Sequence, residues 1–210
     1  MRLVIQRVKK GRVTLPPSPT PKSTINHGIV ALVGLHKDDD HQDLKYCSKK
    51  LCAAKLWSSS DGKPWRSSVN KMNYEVLLIS QFTLYGSVTN KKHQPDYKNS
   101  MKNGQALELY NVFKEMVVVE LGGESERHRV KDGCFGEMMD VELVNDGPVT
   151  LVVDSPAKEA VEVKEEVKEE VDVLEKEGEG VAAGEIKEDG HIVGVPPMPP
   201  IEDLKLDKIT

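Results

Sequence analysis

The stretch Glu75-Val-Leu-Leu-Ile-Ser-Gln-Phe-Thr-Leu-Tyr-Gly86 gives the strongest strand signal in the sequence. After Glu75 comes a continuous apolar run, Val76–Ile79, that includes β-branched residues, a pattern that favours a buried strand. Polar side chains interrupt the run only toward its carboxyl end, at Ser80, Gln81 and Thr83. Alternate residues of a strand share a face, so an extended backbone here places Gln81 with Thr83, and Ser80 with Phe82. The sequence therefore predicts a buried strand that ends in a group of polar side chains.

Further strands and two helices are predicted on both sides of this stretch. The strands cover Arg2–Lys9, Val13–Leu15, Gly28–Gly34, Lys55–Ser58, Phe135–Val144 and Pro148–Val153. One helix runs from Asp38 to about Ala54 and the other from Gln105 to about Val118, because apolar residues recur there at helical spacing. Strands mixed with two helices, without regular β-α-β alternation, predict an α+β domain on a mostly antiparallel or mixed sheet.

Each predicted helix has an apolar stripe that we expect to face the core. The stripes are Leu44, Cys47 and Leu51 in the first helix, and Leu107, Tyr110, Phe113 and Met116 or Val117 in the second. Prolines at 16–21 predict a loop, since proline cannot donate to a strand ladder. Asn145-Asp146-Gly147 predicts a β-turn between the last two strands.

The distribution of charge divides the chain into two parts. Residues 155–210 contain 7 Lys and no Arg against 16 Asp and Glu, a net charge of −9. The preceding 154 residues hold 22 basic and 18 acidic side chains, or +4, together with all ten aromatic residues. A segment without aromatics and rich in Glu, Lys, Gly and Pro cannot bury enough apolar surface to offset its chain entropy. We expect a folded domain over residues 1–156 and a low-complexity acidic tail over 157–210, partly helical or disordered, whose partner the sequence does not identify.

Cysteine count and hydropathy narrow the class of protein. Three cysteines, none in a C-x-x-C pair, favour neither a disulfide framework nor a zinc knuckle. The chain has no apolar run of about 18 residues and no signal-peptide pattern. These features predict a soluble cytoplasmic protein that has no contact with a membrane.

A search for catalytic motifs finds no acid–base pair and no metal motif. His36-Lys-Asp-Asp-Asp-His41 is rich in metal-ligating residue types, but carboxylates at a helix start are expected for capping and for the helix dipole. Ser80 and Thr83 lie outside any G-x-S-x-G elbow. We therefore expect neither a metal nor a cofactor. A general esterase that uses Ser80 or Thr83 as nucleophile stays open as a weaker hypothesis.

Two motifs in order carry a family resemblance. Ser80-Gln-Phe-Thr-Leu84, followed by Asn145-Asp-Gly-Pro-Val-Thr150, resembles the signature motifs of D-aminoacyl-tRNA deacylase, also called D-tyrosyl-tRNA deacylase. Gly133-Cys-Phe-Gly-Glu-Met-Met139 resembles the G-x-F-G-x-x-M segment of that family, and the opening strand with Arg7 is also similar. The resemblance covers about residues 1–156. The chain departs from it at Gly62-Lys-Pro-Trp65, where members commonly read G-K-M-N, and in the loop after Gly86.

The resemblance implies a homodimeric α+β fold with a barrel-like sheet and two main helices. It also implies hydrolysis of the ester between a D-amino acid, or a glycine, and the terminal adenosine of tRNA. The 2′-OH of the RNA would activate water, while the protein supplies orientation. The implied pocket residues are Ser80, Gln81, Phe82 and Thr83. The resemblance also implies that Gly147 and Pro148 form a cis dipeptide that selects chirality: its carbonyls enter the pocket of the partner subunit and exclude the side chain of an L-amino acid. Phe135, Gly136 and Met139 would bind the adenosine, with Arg7, Asn145 and Thr150 in supporting positions.

A basic loop follows the first motif and suggests an RNA contact. Its lysines are Lys91, Lys92, Lys98 and Lys102. Two interpretations of this loop are equally good: the lysines contact acceptor-stem phosphates, or the loop is simply solvated. A non-catalytic nucleic-acid-binding module on the same fold is the alternative function. The two intact motifs argue against it, because binding alone needs no chirality gauge.

Overall fold

The computed structural model describes residues 1–89 and 91–156. In chain order the elements are β1 (Arg2–Thr14), β2 (Pro21–Ile25), β3 (Gly28–Gly34), α1 (His41–Ala53), β4 (Lys55–Trp57), β5 (Ser67–Ser68), β6 (Glu75–Ser80), α2 (Asn103–Glu120), β7 (Val130–Asp132) and β8 (Asp140–Asp154). Two 3-10 helices, Phe82–Tyr85 and Glu124–Arg129, lie before and after α2. The predicted tail at 157–210 lies outside the described residues.

One mixed sheet organises the fold, and its two ends meet. β1 runs antiparallel to β2, β3 and β8, while β3, β6 and β7 are parallel neighbours. At the ends of this order, Ser23 Oγ of β2 donates to the Asp132 carbonyl of β7 at 2.6 Å. Lys22 Nζ donates to the next carbonyl, that of Gly133, at 3.1 Å. The sheet is thus a nearly closed barrel, which confirms the predicted α+β fold with a barrel-like mixed sheet.

The apolar runs of β3 and β6 reflect burial on both faces of the sheet. Along β6, Val76 and Leu78 pack in a cluster with the two helices. Leu77 and Ile79 point the other way and pack in the barrel interior with Val30 of β3. This alternation follows from the two-residue period of a strand, and it explains why the strongest sequence signal is a run without polar residues.

α1 begins with a capping box, as the carboxylate-rich start predicts. The Asp40 carboxylate accepts from the Gln42 N–H at 2.8 Å, and Asp43 accepts from the Asp40 N–H at 3.0 Å. These bonds satisfy donors that have no partner inside the first turn. The predicted stripe is buried and consists of Leu44, Cys47 and Leu51.

The buried face of α2 differs from the prediction at one position. Tyr110, Phe113 and Val117 are buried, but Leu107 is 41% exposed, and Ala106 is buried instead. A stripe at 106, 110, 113 and 117 follows the 3.6-residue period, whereas successive steps of three from 107 drift off the face. The helix is also longer at both ends than the predicted range.

The predicted strand ends around the two motifs are wrong. β6 stops at Ser80, and the chain enters a 3-10 helix at Phe82, so Gln81 and Thr83 do not share a strand face. β8 starts at Asp140, and Phe135 precedes it in a turn segment. The reason is hydrogen bonding to neighbours, which single-sequence patterns do not contain: β7 pairs with β6 only as far as Leu78, and β3 only as far as Ser80.

Asn145-Asp146-Gly147 is not a hairpin turn. Both halves of β8 pair with the same strand, since Asn145 pairs with Val8 and Thr150 with Gln6. Residues 146–149 therefore bulge out of one continuous strand. β1 is likewise a single strand where two were predicted. Within the described part of the chain, no helix has the length and apolar character needed to cross a bilayer.

Candidate active site

The carboxyl ends of parallel strands bring distant parts of the sequence to one pocket. β6 leads into Ser80–Thr83 and β7 leads into 133–139, and the two strands are parallel neighbours. The pocket between these segments has a volume of about 620 Å³. Its lining residues are Val33, Leu35, Ile79, Ser80, Gln81, Phe82, Thr83, Met101, Asn103, Ala106, Phe135, Gly136, Glu137, Met138, Met139 and Val141. Ligands commonly bind at such strand ends, because there the chain leaves the sheet in loops that can surround them.

The 3-10 helix after β6 is held from several sides. The Gln81 N–H donates to the Val33 carbonyl at 2.8 Å, and Ser100 Oγ donates to the Phe82 carbonyl at 2.9 Å. The Phe82 ring meets Tyr97 edge-on with centroids 4.9 Å apart. The first N–H groups of a helix have no acceptor inside it, so those of Phe82 and Thr83 are suited to bind an oxyanion.

Arg2 braces the far end of this 3-10 helix. Its guanidinium lies 5.5 Å from the centroid of the Tyr85 ring and donates to the Leu84 carbonyl at 3.3 Å. Asp154 fixes the same guanidinium with a 2.7 Å ion pair. Burial, followed by the nearby carboxylate of Asp39, raises the pKa of the Tyr85 phenol.

The Thr83 hydroxyl has an amide as its neighbour. Gln81 Nε2 donates to Thr83 Oγ1, and an amide cannot accept the proton that a nucleophilic hydroxyl must lose. Among the described residues that line the pocket, only Glu137 carries an ionisable side chain, and it is exposed. The pocket thus offers amide, hydroxyl and N–H groups within apolar walls. It can orient a polar ligand, but it does not present an acid–base pair.

The segment after β7 forms the opposite wall. The Gly133 N–H donates to the Leu78 carbonyl at 3.0 Å, and the ring centroids of Phe135 and Tyr110 lie 5.5 Å apart. The Cys134 N–H approaches Met139 Sδ at 3.0 Å, which folds the segment back on itself. An aromatic ring beside an apolar thioether is a suitable surface for a nucleobase.

The Gly-Pro segment forms a second cluster, outside the pocket lining. The Gly147–Pro148 peptide bond is cis, and Gly147 has a φ of +127°. Arg7 Nε donates to the Asp146 carbonyl at 3.1 Å and pairs with the Asp146 carboxylate at 3.1 Å, and Arg7 Nη1 donates to the Leu56 carbonyl. The bulge is therefore tied to β1 and β4 by one guanidinium.

Asn145 and Thr150 close the base of the same bulge. Asn145 Oδ1 accepts from the Val149 N–H at 2.9 Å, and Asn145 Nδ2 donates to Thr150 Oγ1 at 3.1 Å. Gln6 Nε2 reaches the same hydroxyl at 3.4 Å. Gly147 and Pro148 themselves are exposed. The side chains around the bulge thus fix its base, while its tip faces outward.

The four lysines of the basic loop are exposed and lie outside the pocket lining: Lys91, Lys92, Lys98 and Lys102. Lys98 is paired with Asp96 at 3.6 Å, so part of its charge is compensated within the loop.

Sequence reasoning missed some of the pocket lining. Met101, Asn103 and Ala106 come from the start of α2, and Val33 and Leu35 from the end of β3. The apolar run of β3 showed a buried strand but gave no sign of which strand end meets the pocket. Trp65 was also missed: its ring centroid lies 6.0 Å from the Arg7 guanidinium.

Comparisons with known proteins agree with this arrangement. Residues 4–154 match the family model of D-Tyr-tRNA(Tyr) deacylase. A D-aminoacyl-tRNA deacylase of Yarrowia lipolytica is 44% identical over 156 residues, which span 74% of this chain and 97% of that protein. The D-aminoacyl-tRNA deacylase of Drosophila melanogaster is 41% identical over 156 residues, with coverage of 74% and 93%. The solved structure of a c-Myc DNA unwinding element binding protein is 35% identical with a TM-score of 0.67, and the match covers 75% of this chain and 100% of that one.

Motifs, fold and relatives together place the chain among the hydrolases. It belongs to the D-Tyr-tRNA(Tyr) deacylase family, which confirms the resemblance found in the sequence. The family match ends at residue 154, where the acidic tail is about to begin.

Proposed function

We propose that this protein hydrolyses the ester bond of D-aminoacyl-tRNA and releases the free D-amino acid and tRNA. Family membership supports the reaction class. The observation that carries the proposal is the pocket, because it brings Ser80–Thr83 and the Phe135–Met139 segment together between apolar walls. The first segment takes the aminoacyl group, and the second takes the terminal adenosine through Phe135, Gly136 and Met139.

The chemistry that fits this pocket is hydrolysis assisted by the substrate. The 2′-OH of the terminal ribose orients a water molecule and relays its proton to the departing 3′-oxygen. The water oxygen bonds to the carbonyl carbon, and the ester C–O bond breaks. The N–H groups of Phe82 and Thr83 stabilise the oxyanion, while Ser80 and Gln81 hold the aminoacyl group. Thr83 acts by positioning, since its hydroxyl accepts from an amide. Orientation alone contributes as much as about 7–11 kcal/mol in favourable cases.

Chiral selection is assigned to Gly147 and Pro148 of a second copy of the chain. The exposed tip of the bulge is flanked on β8 by exposed apolar side chains, Val144, Leu151 and Val152, which suit a homodimer contact. In the dimer the two carbonyls enter the partner's pocket and clash with the side chain of an L-amino acid. Glycine has no side chain to exclude, so glycyl-tRNA is also a substrate. Arg7, Asn145 and Thr150 support the bulge through the contacts described above.

The four exposed lysines of the loop bind the phosphates of the tRNA backbone, independently of base sequence: Lys91, Lys92, Lys98 and Lys102. Such contacts weaken as salt rises, because condensed counterions are released on binding. A tRNA substrate also agrees with the cytoplasmic location expected from the sequence.

Hydrolysis of matched tRNA enantiomers tests the proposal. Purified protein is mixed with D-Tyr-tRNA or L-Tyr-tRNA, and the loss of esterified amino acid is followed. We expect rapid loss of the D-form and survival of the L-form, from a protein that sediments as a dimer. Loss of the D-form no faster than in buffer would contradict the proposal. Equal loss of both forms would leave a deacylase without chiral selection.

A second candidate is binding of DNA without catalysis. The observation that favours it is the 35% identity to the c-Myc DNA unwinding element binding protein, which covers that protein's whole chain. Thr83→Val and Lys91→Gln separate the two functions. In a deacylase the first variant lowers the rate of hydrolysis, while RNA binding is retained. A binding module shows salt-sensitive DNA binding that the second variant weakens, with no hydrolysis in any variant.

We also propose that residues 1–156 form the deacylase domain and that 157–210 form a separate acidic segment. The end of the family match at residue 154 supports this division. A chain that stops at Pro156 is expected to deacylate at a rate within about twofold of the full chain at moderate salt, where long-range repulsion from the tail is screened. Loss of activity on truncation would assign the acidic segment to the enzyme itself.

A further inference from the structure

Asp132 stands where β7 leaves the sheet and becomes the segment with Phe135 and Met139. Its carboxylate pairs with two lysines from different elements, Lys114 Nζ of α2 at 3.0 Å and Lys22 Nζ of β2 at 3.6 Å. Asp132 and Lys114 are partly buried, while Lys22 is exposed. One carboxylate thus joins a helix, a strand at the far end of the sheet order, and the start of the pocket wall.

The backbone at this point is fixed as tightly as the side chain. Ser23 Oγ donates to the Asp132 carbonyl at 2.6 Å, and Lys22 Nζ donates to the Gly133 carbonyl at 3.1 Å. The Gly133 N–H donates to the Leu78 carbonyl at 3.0 Å, and that carbonyl also accepts from the Tyr110 hydroxyl at 3.1 Å. The acceptors of these four hydrogen bonds are the carbonyls of Asp132, Gly133 and Leu78, and Leu78 belongs to β6, the strand that ends at Ser80.

The two pocket walls are joined beside Asp132. Leu78 lies two residues before Ser80, and Gly133 lies two residues before Phe135, so the Gly133–Leu78 bond ties both walls together close to the pocket. Tyr110 bonds Leu78 and packs its ring against Phe135, which repeats the same link through a side chain. Without the carboxylate, Lys22 and Lys114 would lose the anion that pairs with both of them, and their like charges would repel.

We propose that Asp132 is a positioning residue for the adenosine wall of the pocket, acting through Lys22 and Lys114. The assignment deepens the proposed function, on which it rests. It predicts that binding of the terminal adenosine depends on the Asp132 charge. Chiral selection does not, because the Gly147–Pro148 bulge is held by Arg7 and Asn145, and the bonds described for the bulge involve neither lysine.

The test compares Asp132→Asn with Asp132→Glu and with Asp61→Asn. The asparagine variant keeps the size of the side chain and removes its charge, and the glutamate variant restores the charge. Asp61 pairs with Lys63 at 3.1 Å in an exposed turn, so Asp61→Asn makes the same chemical change away from the pocket. Two readouts are taken: the Kd of free adenosine, by titration of the protein NMR signals, and KM and kcat for D-Tyr-tRNA.

For Asp132→Asn we expect the adenosine Kd and the KM to rise by the same factor, about five- to tenfold, as for loss of a partly buried charge pair. The kcat and the ratio of D- to L-hydrolysis stay within about twofold, because the chemical groups lie on the other wall. Asp132→Glu recovers most of the loss, and Asp61→Asn matches the wild type. Lys114→Met gives a smaller rise than Asp132→Asn, since Lys22 still holds the carboxylate.

Three results would overturn the assignment. They are an unchanged adenosine Kd in Asp132→Asn, a fall in kcat without a rise in KM, and a wild-type chain that does not bind adenosine. The adenosine titration also separates this inference from the proposed function. A wild-type chain that binds adenosine through the Asp132-dependent wall but hydrolyses no D-Tyr-tRNA would sustain the positioning role and reject the deacylase.

Discussion

The two sides of the proposed site are built in different ways. The pocket side is made by the ends of β6 and β7, and main-chain bonds such as Gly133 N–H to the Leu78 carbonyl join its walls. The Gly-Pro side is a bulge with an exposed tip, held at its base by the side chains of Arg7 and Asn145. The first is fixed by the sheet itself and the second by a few polar contacts. We therefore expect single substitutions to damage selectivity more readily than they damage catalysis.

Gly147→Ala should have the largest effect. A Cβ at this position would lie 2.7 Å from Val149 Cγ2 and 3.2 Å from Arg7 Nη2, and the φ of +127° is unfavourable for a residue with a side chain. Displacement of the bulge should lower the ratio of D- to L-hydrolysis by about ten- to hundredfold, equivalent to about 1–3 kcal/mol of backbone strain and contact. The ratio is measured from the rates of hydrolysis of D-Tyr-tRNA and L-Tyr-tRNA.

Gly62→Ala is the matched control for this substitution. Gly62 also has a positive φ, +80°, but a Cβ there would meet nothing within 4 Å. The control should lower the free energy of unfolding by about 1 kcal/mol and leave the enantiomer ratio unchanged. If Gly147→Ala behaved in the same way, the bulge would have no part in selection.

Arg7→Met should weaken selection by a smaller factor. It removes the cation that bonds the Asp146 carbonyl and carboxylate and leaves that partly buried carboxylate unpaired. After allowance for partial solvent exposure, we expect the free energy of unfolding to fall by about 1–2 kcal/mol and the enantiomer ratio to fall by up to about tenfold. Arg7→Lys should recover part of both. A loss of stability with an unchanged ratio would make Arg7 a purely structural residue.

The difference between the two sides also explains what the sequence could predict. The apolar run of β6 and the helical stripe of α1 depend on local periodicity, and both were predicted correctly. The end of β6 at Ser80 depends on pairing with β3, and the single strand through Asn145–Thr150 depends on pairing with β1, and both partner strands lie far away in the sequence. Leu107 was wrongly assigned to the core. The stripes that begin at Ala106 and at Leu107 differ by only one residue, and contacts with the rest of the fold decide which of them is buried.

The site could be predicted only through its motifs. The residue types from Ser80 to Thr83 show no acid–base pattern, so periodicity and composition gave no chemistry, and the family resemblance supplied it. Asp132 belongs to no motif. Its role depends on two lysines that it contacts only in the folded chain: Lys22, 110 residues earlier in the sequence, and Lys114, 18 residues earlier.

Thr83→Val tests whether the pocket side works by positioning. The Thr83 hydroxyl accepts from the Gln81 amide, and the substitution removes that contact while it keeps the shape of the side chain. For a positioning group we expect kcat for D-Tyr-tRNA to fall by about tenfold or less, with the enantiomer ratio unchanged. If the hydroxyl were a nucleophile, Thr83→Val would instead lower kcat by about a thousandfold or more, and only Thr83→Ser would restore the rate.

Thiol labelling should show the smallest effect and reports on the pocket side alone. Burial raises the pKa of the Cys47 and Cys52 thiols to about 12, so both stay protonated at pH 8 and react slowly. Cys134 is only partly buried and lies in the pocket wall between Gly133 and Phe135. We expect one of the three thiols to react rapidly at pH 8, and adenosine to slow that reaction by about twofold at a concentration equal to its Kd, because half of the sites are then covered. Asp132→Asn should weaken this protection in proportion to its rise in Kd. Rapid labelling of Cys134 that is indifferent to adenosine would show that the wall after β7 does not contact the nucleoside.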